Sequence, residues 1–199
     1  AMSPFYTVLA FWVGGLILVS TLKVDIDNKD EYRSYEAYFG RLFTFVAIGI
    51  AQAAIVTLGN IYLLDTYVVD RLMFVLLGIF VSVVFITIIY TLVSIFGNTG
   101  KVLAIILLVT QIGGSGGTFP IQMAPPFFQE IHRFLPFTHA ITLMREAVGG
   151  IIWSVVLKNI GFMLAYFFIA IIAGVALKKF FNRSSDKFMA RARESKMIM

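Results

Sequence analysis

LMFVLLGIFVSVVFITIIYTLVSIF, residues 72–96, contains no charged residue and no proline. A membrane-crossing helix needs about 20 mostly apolar residues. A strand of this length, without period-two alternation, has no precedent in the usual patterns. This stretch therefore decides the fold class: the chain is an all-α integral membrane protein. Composition agrees, with 59% hydrophobic and only 14% charged residues among 199. Soluble domains carry about 25% charged residues. Cysteine is absent, which removes disulfides and thiolate metal sites.

Four further runs flank this one. Residues 4–22 and 42–64 carry no charge, 102–118 is apolar but ends in a glycine tract, and 151–177 carries only Lys158. Five transmembrane helices are expected, at about 4–22, 42–64, 72–96, 102–118 and 151–177. Lys and Arg are unevenly shared between the two sides. Segments 23–41, 97–101 and 178–199 hold twelve of them, and the opposite connections hold only Arg71, Arg133, Arg145 and Lys158. Positive residues concentrate on the cytoplasmic side. The C-terminus is therefore expected inside, and the start of the chain outside. The opening AMSPFYTVLAF has no basic region and no cleavage site. That start suggests a C-terminal piece of a longer protein, with an earlier span and an extracellular region upstream.

The connections carry their own signals. In the inner segment KVDIDNKDEYRSYEAYFGR, Tyr32, Tyr35 and Phe39 recur at helical spacing. An amphipathic cytoplasmic helix at about 27–39 fits, lying along the interface as an elbow or touching a cytoplasmic partner. The basic tail, 178–199, would hold anionic lipid through Lys178, Lys179, Arg183, Lys187, Arg191 and Arg193. With the charge so placed, nucleic acid is not an expected partner.

QIGGSGGTFP, residues 111–120, breaks the fourth run with Gly113, Gly114, Gly116, Gly117 and Pro120. Irregular backbone is not tolerated against lipid, so this tract must be buried in protein, line a polar cavity or reach the surface. Gly113 and Gly117 also form a GxxxG pair that could pack closely on a neighbour. Beyond it, Pro125 and Pro126 open a short helix at about 126–134. Pro136 opens another at about 137–148, ended by Gly149 and Gly150. Neither is long enough to cross, so two outer re-entrant or interfacial helices are expected over 126–148. Arg145 and Glu146 would close the second.

Catalytic and cofactor signals are missing. GNTGKV, residues 97–102, is too short for a phosphate-binding loop and carries Val102 where Ser or Thr is needed. His132 and His139 are seven residues apart with no further ligand nearby, so neither a metal nor any other cofactor is expected. No Asp, Glu, Lys or Arg lies deep in a span, which argues against autonomous ion coupling. Gln52, Asn60, Gln111 and Asn159 read as interhelical hydrogen-bonding groups. An enzyme is not expected.

The elements FGNTGK, QIGGSGGTFP, PPFFQ, FLPFTHAI and REAVGG together resemble the C-terminal membrane region of the YhgE/Pip family, and the likeness covers nearly the whole chain. That family includes the bacterial phage infection protein and relatives tied to type VII secretion. The resemblance implies a domain similar to the permease half of type-2 ABC exporters. It implies a coupling helix after the first span of this chain, at about 27–39, and two outer helices before the last. A homo- or heterodimer, a separate ABC ATPase and membrane lipids would be its partners. Phage or secretion-system proteins would be partners if the domain instead anchors an extracellular region.

Overall fold

A computed structural model describes residues 3–24 and 34–196, with side chains described as far as Leu177. Among the described residues all regular structure is helical. The α-helices are α1 (Ser3–Thr21), α2 (Ser34–Tyr62), α3 (Arg71–Phe96), α4 (Asn98–Gly114), α5 (Pro126–Ile131), α6 (Pro136–Gly149) and α7 (Trp153–Lys196). Among them α1, α2, α3 and α7 are long and apolar enough to cross a membrane. At 1.5 Å per residue the 17 residues of α4 reach about 26 Å, slightly less than a hydrocarbon core.

The decisive stretch, α3, is the centre of the bundle and packs against α1, α2, α4, α6 and α7. Its start is capped by Asp70, whose carboxylate accepts the Met73 N–H at 3.0 Å. Its end is Gly97, at φ +59°, whose N–H donates to the Val93 carbonyl at 2.8 Å. A β-carbon at Gly100 would collide with the Leu92 carbonyl. The GNTGK turn is therefore a tight corner that lets α4 fold back on the last turn of α3.

Small residues bring the helices close elsewhere too. Gly49 of α2 lies against Ile86 of α3, and Gly78 of α3 lies against Thr57 and Phe11. Close approach permits polar contacts inside the bundle. Ser82 donates to the Gly49 carbonyl at 3.1 Å, and Tyr90 donates to the Tyr38 carbonyl at 3.0 Å. The Tyr38 and Thr91 hydroxyls meet at 2.7 Å. Asn60 donates to Thr7 at 3.0 Å, joining α2 to α1.

Three boundaries differ from the sequence expectation. There is no separate inner helix ending at 39 before a span from 42: α2 is continuous from Ser34. The reason is a single buried face, Tyr38, Leu42, Phe45, Ala53 and Ile61, which continues through the expected junction. The first part of the expected inner helix, with Tyr32, lies outside the described residues. Secondly, α4 spans 98–114 rather than 102–118, because helix restarts directly after Gly97. Thirdly, α7 continues to Lys196, through the expected tail, where no Gly or Pro after Gly174 stops it.

Candidate functional site at the glycine break

The helix α4 ends at Gly114, and Gly116 adopts φ +63°, a conformation that ordinary side chains disfavour. The tract is covered by its own neighbours. A β-carbon at Gly114 would meet Leu135 and Phe128, and one at Gly117 would meet the Phe5 ring. Gly113 packs on Phe128. Because Gly117 is no longer helical, it and Gly113 do not share a helix face, and the GxxxG seam expected from their spacing does not form.

A broken helix end leaves carbonyls that must find donors when water is scarce. Here side chains supply them. His132 Nδ1 lies 2.7 Å from the Gly114 carbonyl. Arg145 Nη2 donates to the Gly116 carbonyl at 3.2 Å and to that of Gly117 at 3.4 Å. One turn earlier, the fully buried Gln111 accepts the Phe137 N–H at 3.1 Å through Oε1. This bond fixes the first turn of α6, where Pro136 occupies an N-terminal position and offers no N–H. An aromatic cluster supports the same point. Trp12 sits 5.0 Å from Phe85 and 5.6 Å from Phe137, and its Nε1–H donates to the Ala104 carbonyl at 3.2 Å.

α5 starts at Pro126 with Pro125 extended before it, and a 3₁₀ turn, His132–Phe134, follows. α6 is amphipathic, burying Phe137, Ala140, Ile141, Met144 and Ala147. It is tied to α7 through His139, whose Nδ1 lies 2.8 Å from Asn159 Oδ1 and whose Nε2 lies 3.0 Å from the Arg133 carbonyl. The His139 ring stacks on Phe162 at 4.4 Å. Tyr166 adds a bond to the Phe134 carbonyl at 3.0 Å. Glu146 accepts the Ile152 N–H at 2.8 Å and so joins α6 to the start of α7. Arg145 leaves the helix end altogether and reaches the glycine tract.

Of the residues singled out by sequence, the structure thus gathers Gly113, Gly114, Gly116, Gly117, Pro120 and Arg145 at one end of the bundle. Tyr35 and Phe39 lie far along the chain on the first turns of α2, Tyr35 exposed and Phe39 half-buried. The fully buried aromatic there is Tyr38, which a search for spacing with Tyr32 passes over. Side chains of the basic tail from Lys178 onward are not among those described. His132, His139, Gln111 and Asn159 build the site as much as the glycines do. Their only sequence signal is polarity inside a half-apolar stretch.

Two cavities adjoin the break. One, of about 190 Å³, has Ser115, Gly116, His132 and Arg145 on its wall. The other, of about 620 Å³ between α6 and α7, has Arg133, Lys158 and Asn159 on its wall. Neither is lined by a carboxylate. No group of His, Asp or Glu among the described residues could hold a metal ion.

A helical bundle with four membrane-length helices, a broken apolar helix and short helices folded over the break defines a multi-pass membrane protein. Residues 31–176 match the family described as ABC-2 family transporter protein, and the chain belongs to that family. It is also 30% identical over 167 residues to the uncharacterized protein YhgE of Bacillus subtilis (strain 168), an alignment that takes in 82% of this chain. The domain is therefore YhgE/Pip-like as well as ABC-2 permease-like. The chain spans 22% of the length of that relative. No solved structure matches it.

Proposed function

We propose that this chain is the permease-like membrane domain of a bacterial plasma-membrane protein that exports an amphipathic or lipid-like substrate. Membership of the ABC-2 transporter family over residues 31–176 carries this reading. Such permeases generally dimerise and work with an ATPase partner. No Asp, Glu, Lys or Arg lies deep in a span to serve as a proton or sodium relay, so the energy would come from a separate ABC ATPase. The exposed apolar faces of α4 and α7, with Val109 and Ile172 about two-thirds exposed, suit lipid or a second permease copy. The carboxylate-free cavities at the glycine break suit the polar end of an amphiphile. Five spans would place the start of the chain outside and the basic C-terminus in the cytoplasm. In that orientation 126–148 is the outer cover, and the segment with Tyr32, Tyr35 and Phe39 faces the ATPase.

A second reading is a non-transporting anchor for an extracellular region that phage or secretion-system proteins contact. The observation behind it is that this domain matches only 22% of its relative's length. One experiment separates the two. A photoreactive residue at Tyr35, in native membranes, should capture an ABC-type ATPase if the domain is an exporter. Capture of lipid alone, or of secretion-system proteins, overturns the export reading and leaves the anchor.

A further inference from the structure

The 190 Å³ pocket behind the glycine break holds polar groups that the fold itself does not use. Ser115 is only 3% exposed, lines the pocket, and its Oγ has no hydrogen-bond partner. A buried hydroxyl without a partner is rare in folded proteins and points to a missing ligand or water. His132 lies beside it. Its Nδ1 faces the Gly114 carbonyl at 2.7 Å, and a carbonyl only accepts, so Nδ1 carries the proton of that bond. Arg145 spends one terminal nitrogen on both the Gly116 and Gly117 carbonyls, which leaves the rest of its guanidinium fork available. Thr138 and Thr142 already donate their hydroxyls to the His132 and Thr138 carbonyls, each at 2.7 Å.

The wall thus offers a cation and an unpartnered hydroxyl, with no carboxylate on it. That set attracts an anion with several acceptor oxygens, and an arginine fork matches phosphate best. Near the wall residues Pro120 and Ile121 in the chain, the apolar side chains Phe119 and Met123 are 46% and 77% exposed. We propose that this pocket binds a phosphate group, held by Ser115 and Arg145. The phosphate could belong to a lipid headgroup or be free in solution. The site stands on its own geometry and does not depend on whether the domain transports.

Ser115→Ala tests it, because Arg145 also secures the backbone and is a poor probe. The protein is purified in detergent and examined in two ways. Native mass spectrometry counts phosphatidylglycerol retained after its addition, and thermal unfolding follows stabilisation by inorganic phosphate at constant ionic strength. Losing one bond to a charged ligand should weaken binding about tenfold. A tenfold drop in phosphatidylglycerol occupancy in the variant supports a headgroup site. A tenfold loss of the inorganic-phosphate effect supports a free-phosphate site. If Ser115→Ala matches the unaltered protein in both, and melts at the same or a higher temperature, the pocket is not a phosphate site. A ligand-free pocket predicts that outcome, since the substitution then merely removes an unsatisfied hydroxyl.

Discussion

Two stretches of the bundle, α3 and the span Trp153–Leu177 of α7, are long, apolar and almost free of charge, yet they do opposite jobs. Of the most apolar stretch of α3, 56% of residues are buried against protein; in α7 the figure is 17%. α3 turns Phe74, Val81, Phe85, Ile86 and Ile89 inward and hydrogen-bonds through Ser82, Tyr90 and Thr91. α7 presents Leu157, Phe168, Ile169 and Ile172 outward and packs on α3, α6 and α2 along one narrow buried stripe, Val156, Asn159, Met163, Ala170 and Gly174. Lipid is as apolar as leucine, so hydrophobicity alone does not choose between the two roles. Close packing at small residues and satisfied polar groups do.

Substitutions at glycine should show this difference most strongly. Gly100→Leu drives a side chain into the backbone of Leu92, which has nowhere to go, so folded, monodisperse protein should be lost. Gly161→Leu on α7 meets nothing within 4 Å and should leave the melting temperature nearly unchanged. Size-exclusion chromatography of heated detergent extracts reads both. If Gly100→Leu survives, the corner between α3 and α4 is not as drawn.

Next in size is the aromatic cluster. Trp12→Ala opens a cavity beside Phe85 and Phe137 and should cost about 3–5 kcal/mol, whereas Phe168→Ala on the exposed face of α7 should cost well under about 1 kcal/mol. Unfolding midpoints of the pair give the comparison directly. Similar losses would mean that α7 is covered as thoroughly as α3, for example by a second copy.

A single buried bond ranks third. Gln111→Leu leaves the Phe137 N–H without an acceptor and should cost about 1–3 kcal/mol. Faster amide exchange confined to the start of α6 is the accompanying signature; unchanged exchange would remove Gln111 from its positioning role. The smallest effect expected is that of Thr91→Val, about 0.6 kcal/mol, because interhelical hydrogen bonds in bilayers are weak on average. Its partner Tyr38→Phe should give a matching loss, and the double variant should not add to it.

Much of the helical architecture was legible before any coordinates. Uncharged runs of 20 or more residues have one outcome in a bilayer, and the prolines at 126 and 136 are readable because they suit a helix's first turn. The boundaries that moved share a cause. The expected junction near residue 40 and the α4 limits were drawn from charge and glycine content. What sets them is a buried face that continues through Tyr38 and Leu42, and the corner at Gly97. Around the candidate site, the glycines were conspicuous and the groups that satisfy their carbonyls were not. His132 lies 18 residues from Gly114, and Arg145 lies 29 from Gly116. Neither pairing has a local pattern to betray it.

The amino-acid sequence by itself determined that this is a helical membrane protein, that a glycine tract interrupts its fourth apolar run, and that no charged residue lies deep in a span. Those are consequences of transfer energies and backbone stereochemistry, which act residue by residue. Only the tertiary structure decided that α3 is the hub while α7 stays at the edge, and that Gly113 and Gly117 do not form a seam. It also decided that Arg145 serves the glycine break and that Ser115 is buried with nothing to bond. Each of these depends on which distant side chain arrives opposite a given backbone group, and that is set by packing rather than by spacing along the chain.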